Sequence, residues 1–214
     1  MKQYEQKIYS QNGEDGILTH IFDKLGTTNK VAVEFGVSQS GLDVEANTRL
    51  LANKDWTLYW FDFNQLTNLP VNCIFTQTKL TKDNIVDEFS KKQIPIELDL
   101  LSIDIDSNDY HLREVLSIYK PRVYVMEYNG SIPHDVPYIM PYDESYEWTL
   151  WKTNFGASIL SYTEQADRLG YDLVYCDSRG VNAFFIRKDI NVFPKLTCKQ
   201  AWVKLWWAFE DGYY

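Results

Sequence analysis

The stretch Val31-Ala-Val-Glu-Phe-Gly-Val-Ser-Gln-Ser-Gly41 decides the fold. Small and β-branched apolar residues lead into Glu34, then Phe35 and Gly36. That pattern is a short buried strand ending in an acid and a glycine. The polar-to-apolar pattern after Gly41 predicts a helix over residues 43–53. A strand, a tight glycine loop and a helix N-terminus make the nucleotide-binding corner of an open α/β sheet. Gly36 lets the backbone turn and a ligand approach closely. The spacing is not G-x-G-x-x-G, which disfavours a dinucleotide. An acid two residues before the glycine suits a cationic ligand, with Glu34 facing an ammonium or sulfonium group. The alternative is a tight turn with no ligand.

Working outward, Ile17, Leu18, Ile21, Phe22 and Leu25 recur at helical spacing, so residues 14–25 are a helix with acids in its first turn. Downstream, Thr57-Leu-Tyr-Trp-Phe-Asp62-Phe is a second strand with Asp62 near its carboxyl end. Ligands lie outside the carboxyl ends of such strands, where an acid accepts hydrogen bonds from ribose hydroxyls. Further strands are expected at 71–75, 98–106 and 122–129, with helices at 81–92 and 109–119. Residues 131–155 interleave Pro133, Pro137 and Pro141 with Tyr138, Tyr142, Tyr146, Trp148 and Trp151, which reads as a lid or substrate loop. A helix over 156–169 precedes a hairpin of strands 171–176 and 182–187. Trp202, Trp206 and Trp207 fall on a short helix within 194–214, a stripe suited to core packing or to a homodimer contact. The whole is one α/β domain, a mostly parallel sheet with helices on both faces and a C-terminal antiparallel hairpin. By fold analogy it stands nearer a class I methyltransferase than a dehydrogenase.

Composition narrows the function classes. With 45% apolar and 24% charged residues, the 214-residue chain is ordinary for one globular domain. A net charge of −9 argues against binding a phosphate backbone, so no nucleic-acid partner is expected. Cys73, Cys176 and Cys198 are far apart and lack zinc spacing, as suits a reduced compartment. No run reaches membrane length and no apolar leader core opens the chain, so the expected location is cytoplasmic.

Several short motifs occur together in order: Tyr9-Ser-Gln-Asn-Gly-Glu-Asp-Gly-Ile17, Val33-Glu-Phe-Gly36, Asn47-Thr-Arg-Leu-Leu51, Ile103-Asp-Ile-Asp106, residues 121–129, and Gly180-Val-Asn-Ala-Phe-Phe185. Over roughly residues 8–188 the chain resembles the FkbM-like family of S-adenosylmethionine-dependent methyltransferases. The resemblance implies a Rossmann-like sheet of order 3-2-1-4-5-7-6 and O-methylation of a hydroxyl, with sugars and polyketide glycosides as acceptors. The chain departs from the pattern at Ser107, where many relatives have glycine, and in the 131–155 loop.

Methyl transfer to a hydroxyl needs an aligned acceptor oxygen and a base or a divalent metal. The strand ends supply Asp104, Asp106, Glu127 and Asn129. The donor-site candidates are Gln11, Glu34, Gly36, Ser38, Asp62 and Asp104. The catalytic candidates are Asp104, Glu127 and His134. Asp104, Glu127 and Asn129 form a candidate set for Mg²⁺ or Mn²⁺, in a pattern similar to catechol-type O-methyltransferases. Each has a structural alternative: strand-end capping for the acids, a helix N-cap for residues 10–15, a solvated loop position for His134. His20 and His111 read as helix-surface residues. The expected acceptor is a sugar hydroxyl of a glycan, glycolipid or nucleotide sugar. Another small-molecule hydroxyl, polyketide or catechol-like, comes second, and a donor-binding module without catalysis third.

Overall fold

The structure, a computed structural model, describes residues 1–41, 43–149 and 152–205. Seven strands form one sheet: β1 (Val31–Phe35), β4 (Thr57–Asp62), β5 (Cys73–Gln77), β6 (Leu100–Ile103), β7 (Val123–Glu127), β8 (Tyr171–Cys176) and β9 (Asn182–Arg187). Their order is β5-β4-β1-β6-β7-β9-β8. The first five run parallel, while β9 runs antiparallel between β7 and β8. The order expected from the resemblance, with the last strand inserted beside the fifth, is thus the one observed. The architecture is compatible with a Rossmann-like fold.

Alternation along the strands divides the core. Val33 and Phe35 in β1 and Tyr124 and Met126 in β7 point to one face. That face is covered by α2 (Ile85–Lys91), α3 (Asp109–Val115) and α4 (Ile159–Leu169), through Ile85, Phe89, Leu112, Ile159 and Tyr162. Ala32, Val123 and Val125 point to the other, against Ile17, Leu18, Ile21 and Phe22 of α1 (Glu14–Leu25). Both faces of the central strands are therefore apolar, as a sheet covered on both sides requires. Each such large side chain contributes roughly 1.5–3 kcal/mol when fully buried. The same alternation carries the strand-end acids Glu34 and Glu127 onto the α1 side.

Below the sheet, buried Asp99 binds the backbone N–H groups of Thr28, Asn29 and Lys30 and meets Arg122 at 3.0 Å. Arg122 in turn donates to Leu25 O and Gly26 O, closing the end of α1. That network pins the start of β1, so that its far end is held where the acids converge.

One expected helix is absent. Residues 43–53 hold instead the second arm of a small hairpin, β2 (Ser38–Ser40) with β3 (Asp43–Glu45), and a 3-10 helix, Arg49–Lys54. The reason lies in Glu34, whose carboxylate takes the backbone N–H groups of Asn47 and Thr48 that a helical turn would need free. Val44 and Ala46, both buried, follow strand rather than helix period. Elsewhere the shifts are local. The helix expected at 81–92 begins only at Ile85, because Asn84 Oδ1 accepts the Thr81 N–H and makes a turn there. The helix expected at 156–169 starts after Ser158, whose side chain caps Ser161 N. In the C-terminal stretch only α5 (Cys198–Ala201) is helical among the described residues, and Trp206 and Trp207 lie outside them. Among the described residues no helix is long and apolar enough to cross a membrane.

Candidate functional site

A cavity of about 810 Å³ opens at the carboxyl ends of β1, β4, β6 and β7. Ligand pockets commonly span roughly 300–1,000 Å³. All six donor-site candidates, Gln11, Glu34, Gly36, Ser38, Asp62 and Asp104, lie in its wall. So does Glu127, while His134 and Asn129 do not.

Gly36 is fixed by the chain as much as by any ligand. Its φ is +77°, and a Cβ there would come within 1.4 Å of Asp104 O. The ends of β1 and β6 therefore approach at a distance only glycine permits. Beside it, Glu34 is 2 % exposed and both its oxygens accept hydrogen bonds, from Asn47 N, Thr48 N and the Thr48 hydroxyl. Burial pushes its carboxyl up to about 7 against the pull of those bonds. Glu34 is thus a wall residue whose carboxylate also braces the segment after β3. At the end of β4, Asp62 Oδ1 accepts the Asn64 N–H at 2.7 Å. Burial raises its carboxyl too.

The residue 10–15 segment folds back on the start of α1, where Gly13 is the N-cap residue and the Ser10 hydroxyl accepts the Asp15 N–H. Asp15 Oδ2 accepts N–H groups from Ile8, Tyr9 and Ser10, and Glu14 accepts from Asn12 N and Asn182 Nδ2. Gln11, whose Oε1 accepts the Asn12 side-chain amide at 3.1 Å, lines the cavity.

At the floor, Asp104, Asp106 and Glu127 each bring a carboxylate oxygen within 4.8 Å of the others. At that separation two ionised carboxylates repel by roughly 3–4 kcal/mol at an effective dielectric of 20. Burial first, then neighbouring carboxylates, raise Asp104 and Glu127 well above the usual carboxylate range. The same causes take Asp106 to about 6. Glu127 is 8 % exposed and its Oε2 has no hydrogen-bond donor among the described residues. The cluster is therefore short of positive charge, which a proton, a hard divalent cation or a donor group on a ligand would supply.

The third member of the cluster is Asp106, where the sequence pointed to Asn129. Asn129 donates from Nδ2 to Thr153 O and Phe155 O and accepts from Ser131, so its amide holds the two ends of the 131–155 loop. Asp106 reaches the site because its φ is +56°, a left-handed turn that aspartate tolerates. The left-handed residue is 106, not 107, so serine at 107 meets no demand for glycine. His134 stands apart, with its ring edge-on to Trp202 and Asp135 at 3.9 Å.

The 131–155 loop overhangs the cavity with Glu144, Tyr146, Glu147 and Trp148. It is tied down at Asn108, which exchanges hydrogen bonds with the Asp143 backbone, and at His111, which meets Met140 O at 2.8 Å. No protein-family model and no curated protein matches this chain.

Proposed function

We propose that the chain is an S-adenosylmethionine-dependent O-methyltransferase of FkbM-like type, acting on a sugar hydroxyl. The observation that carries this reading is the meeting of Asp104, Asp106 and Glu127 in a cavity that also takes in Gly36 and Asp62. The strand order supports it, since the inserted antiparallel strand is the feature the sequence resemblance implied.

The donor fits the residues present. Asp62 at the end of β4 suits the ribose hydroxyls, the turn at Gly36 gives backbone close approach, and Gln11 and Ser38 offer further polar contacts. Bound there, the donor supplies a methyl group on a sulfonium centre. The chain's own work is to hold the acceptor oxygen at attack distance and angle and to take its proton. Asp104 and Glu127 serve the second task, because burial, then the neighbouring carboxylates, raise both well above the usual carboxylate range, and a carboxylate of raised pKa is the stronger base. Mg²⁺ or Mn²⁺ fits the same set. Asp104, Asp106 and Glu127 would hold it, and the donorless Oε2 of Glu127 is a coordination oxygen in waiting. Such a cation would lower the acceptor hydroxyl's pKa.

The test is calorimetry with S-adenosylhomocysteine on the parent and on Asp62→Ala, followed by transfer of a labelled methyl group to hydroxyl acceptors. Loss of a charge-assisted hydrogen bond in the variant should cost roughly 1.5–3 kcal/mol of affinity. No binding of S-adenosylhomocysteine to the parent would remove the donor, and the methyltransferase with it.

A further inference from the structure

The 131–155 loop brings a hydroxyl to the floor carboxylates. Tyr146 lines the cavity, and its Oη is buried with no hydrogen-bond partner among the described residues. Burying a hydroxyl unpaired is costly, so such a group calls for a partner that the chain itself does not supply.

The place of Tyr146 is fixed from both sides. Asn108 donates from Nδ2 to Asp143 O at 2.8 Å and accepts the Asp143 N–H at 3.1 Å. From that anchored residue one turn, Tyr146 N to Asp143 O at 3.3 Å, leads to the tyrosine. On its far side Gly156 N donates to Ser107 O at 3.1 Å. Residues 143 and 156 are thus both tied to the pair 107–108, which directly follows Asp106 of the floor cluster. The ring is held as well. It packs against Phe155, Val181 and Leu205, and Lys152 Nζ lies 5.4 Å from its centre. These contacts engage the ring and leave the hydroxyl. Burial first, then Tyr138 and Asp106, raise the phenol above its usual range. The Asp106 carboxylate is near enough to act on this oxygen, yet it does not accept its hydrogen bond.

We propose that Tyr146 is a further acceptor-binding residue, whose hydroxyl donates to the sugar oxygen that attacks the methyl group, across from the floor carboxylates that take that oxygen's proton. This rests on the reading of the cavity as a methyl-transfer site. A sugar hydroxyl has one proton and two lone pairs. Its proton goes to Asp104 or Glu127, one lone pair accepts from Tyr146, and the other is left aimed for attack. As the new O–CH3 bond forms, the S–CH3 bond breaks and its electron pair stays on sulfur. The acceptor's proton passes to the floor carboxylate, and the tyrosine keeps its own. A phenol suits this task where an ionised carboxylate does not, because the carboxylate only accepts.

Transfer of a labelled methyl group from S-adenosylmethionine to glucose, mannose, rhamnose and N-acetylglucosamine tests it, in the parent and in Tyr146→Phe. Phenylalanine keeps the ring and its packing and removes the hydroxyl alone. The variant should keep the parent's melting temperature and hold S-adenosylhomocysteine within about threefold of the parent, while kcat/KM for a sugar that the parent methylates falls at least about tenfold. With tyrosines ¹³C-labelled at Cζ, the signal missing from Tyr146→Phe should move when that sugar is added to the parent loaded with S-adenosylhomocysteine. Transfer by the variant at the parent's rate, a fall in melting temperature or donor affinity that matches the lost transfer, a Cζ signal that ignores the sugar, or no transfer to any of the four sugars overturns the proposal. The parent's affinity for S-adenosylhomocysteine separates the two readings. Where it binds, this role alone fails; where it does not, the methyltransferase reading fails and takes this role with it.

Discussion

The Thr48 hydroxyl donates to Glu34 Oε2 at 2.6 Å and accepts the Trp60 indole N–H at 2.8 Å. One buried hydroxyl thus joins β1, β4 and the segment between them at the cavity's edge. Thr48→Val keeps the shape and removes the hydroxyl, leaving the buried indole N–H unpaired and Glu34 Oε2 with the Thr48 backbone N–H as its remaining donor. Each unsatisfied buried group costs about 1–3 kcal/mol. Urea denaturation should show the variant less stable by roughly 2–4 kcal/mol, and Thr48→Ser within about 1 kcal/mol of the parent. A valine variant as stable as the parent would mean that this hydroxyl bridges nothing in solution.

Two glycines with the same backbone sign should respond differently. Gly36 and Gly41 both have positive φ, +77° and +63°. An added Cβ at Gly41 meets nothing within 4 Å among the described residues, so Gly41→Ala carries only the left-handed penalty of roughly 1–2 kcal/mol. At Gly36 the same Cβ strikes Asp104 O, and backbone of β1 or β6 must move. Gly36→Ala should therefore cost more than about 4 kcal/mol, the range of severe substitutions, and abolish ligand binding in whatever fraction folds. Equal losses in the two variants, measured by thermal melting, would remove the close approach as the reason for Gly36.

The sheet was legible because its strands are dense in β-branched and aromatic residues and their helices carry a clear 3.6 period, as in residues 14–25 and 159–169. What escaped was decided by contacts distant in sequence. The pattern after Gly41 reads as helix until Glu34 claims the N–H groups of Asn47 and Thr48. Asn129 sits at a strand end like its neighbours, yet its amide is taken by Thr153 and Phe155, about 25 residues on. Asp106 reaches the cluster through a left-handed turn, which no periodicity encodes. His111 reads as a helix-surface residue, and only the folded loop reveals its contact with Met140 O. The strand-end rule gathered Asp104 and Glu127 because it depends on sheet geometry, not on side-chain direction.

Asp177 should make stability depend on pH. It is fully buried, and burial, then the Glu14 carboxylate, raise its carboxyl to about 7. The folded state then binds a proton that the unfolded chain, titrating near 4, has released. Its contribution is present in full below about pH 4 and is lost as pH rises through about 7. At about 1.4 kcal/mol per pKa unit the loss is on the order of 4 kcal/mol at most. Denaturation free energies at pH 5, 6, 7 and 8 should fall more steeply in the parent than in Asp177→Asn, whatever the variant's absolute stability. Parallel slopes would show that Asp177 titrates alike in both states.

The pairing of Asp104 with Glu127 makes the last prediction, which separates a cation from a base. Their carboxylates, with that of Asp106, lie within 4.8 Å of one another, and among the described residues no basic group offsets them. Replacing one carboxylate by an amide of the same shape removes a repelling charge and provides a donor to Asp104. Glu127→Gln should therefore melt at a higher temperature than the parent when no divalent cation is present. Adding Mg²⁺ or Mn²⁺ reverses the ranking if the cluster is a metal site. At one hundred times its Kd a cation bound only by the folded state adds about 2.7 kcal/mol, a rise of roughly 5–10 °C for a domain of this size. The parent should gain that rise, and Glu127→Gln and Asp104→Asn should gain little of it. Methyl transfer in the parent should then stop on chelation and return when the cation is restored. If melting ignores the cation and chelation leaves transfer unchanged, the cation is wrong and Glu127 or Asp104 acts as the base. In that case both amide variants lose turnover while S-adenosylhomocysteine affinity stays within about threefold. Full turnover in both variants would discard both roles, because the cavity floor would then contribute nothing to the acceptor's proton.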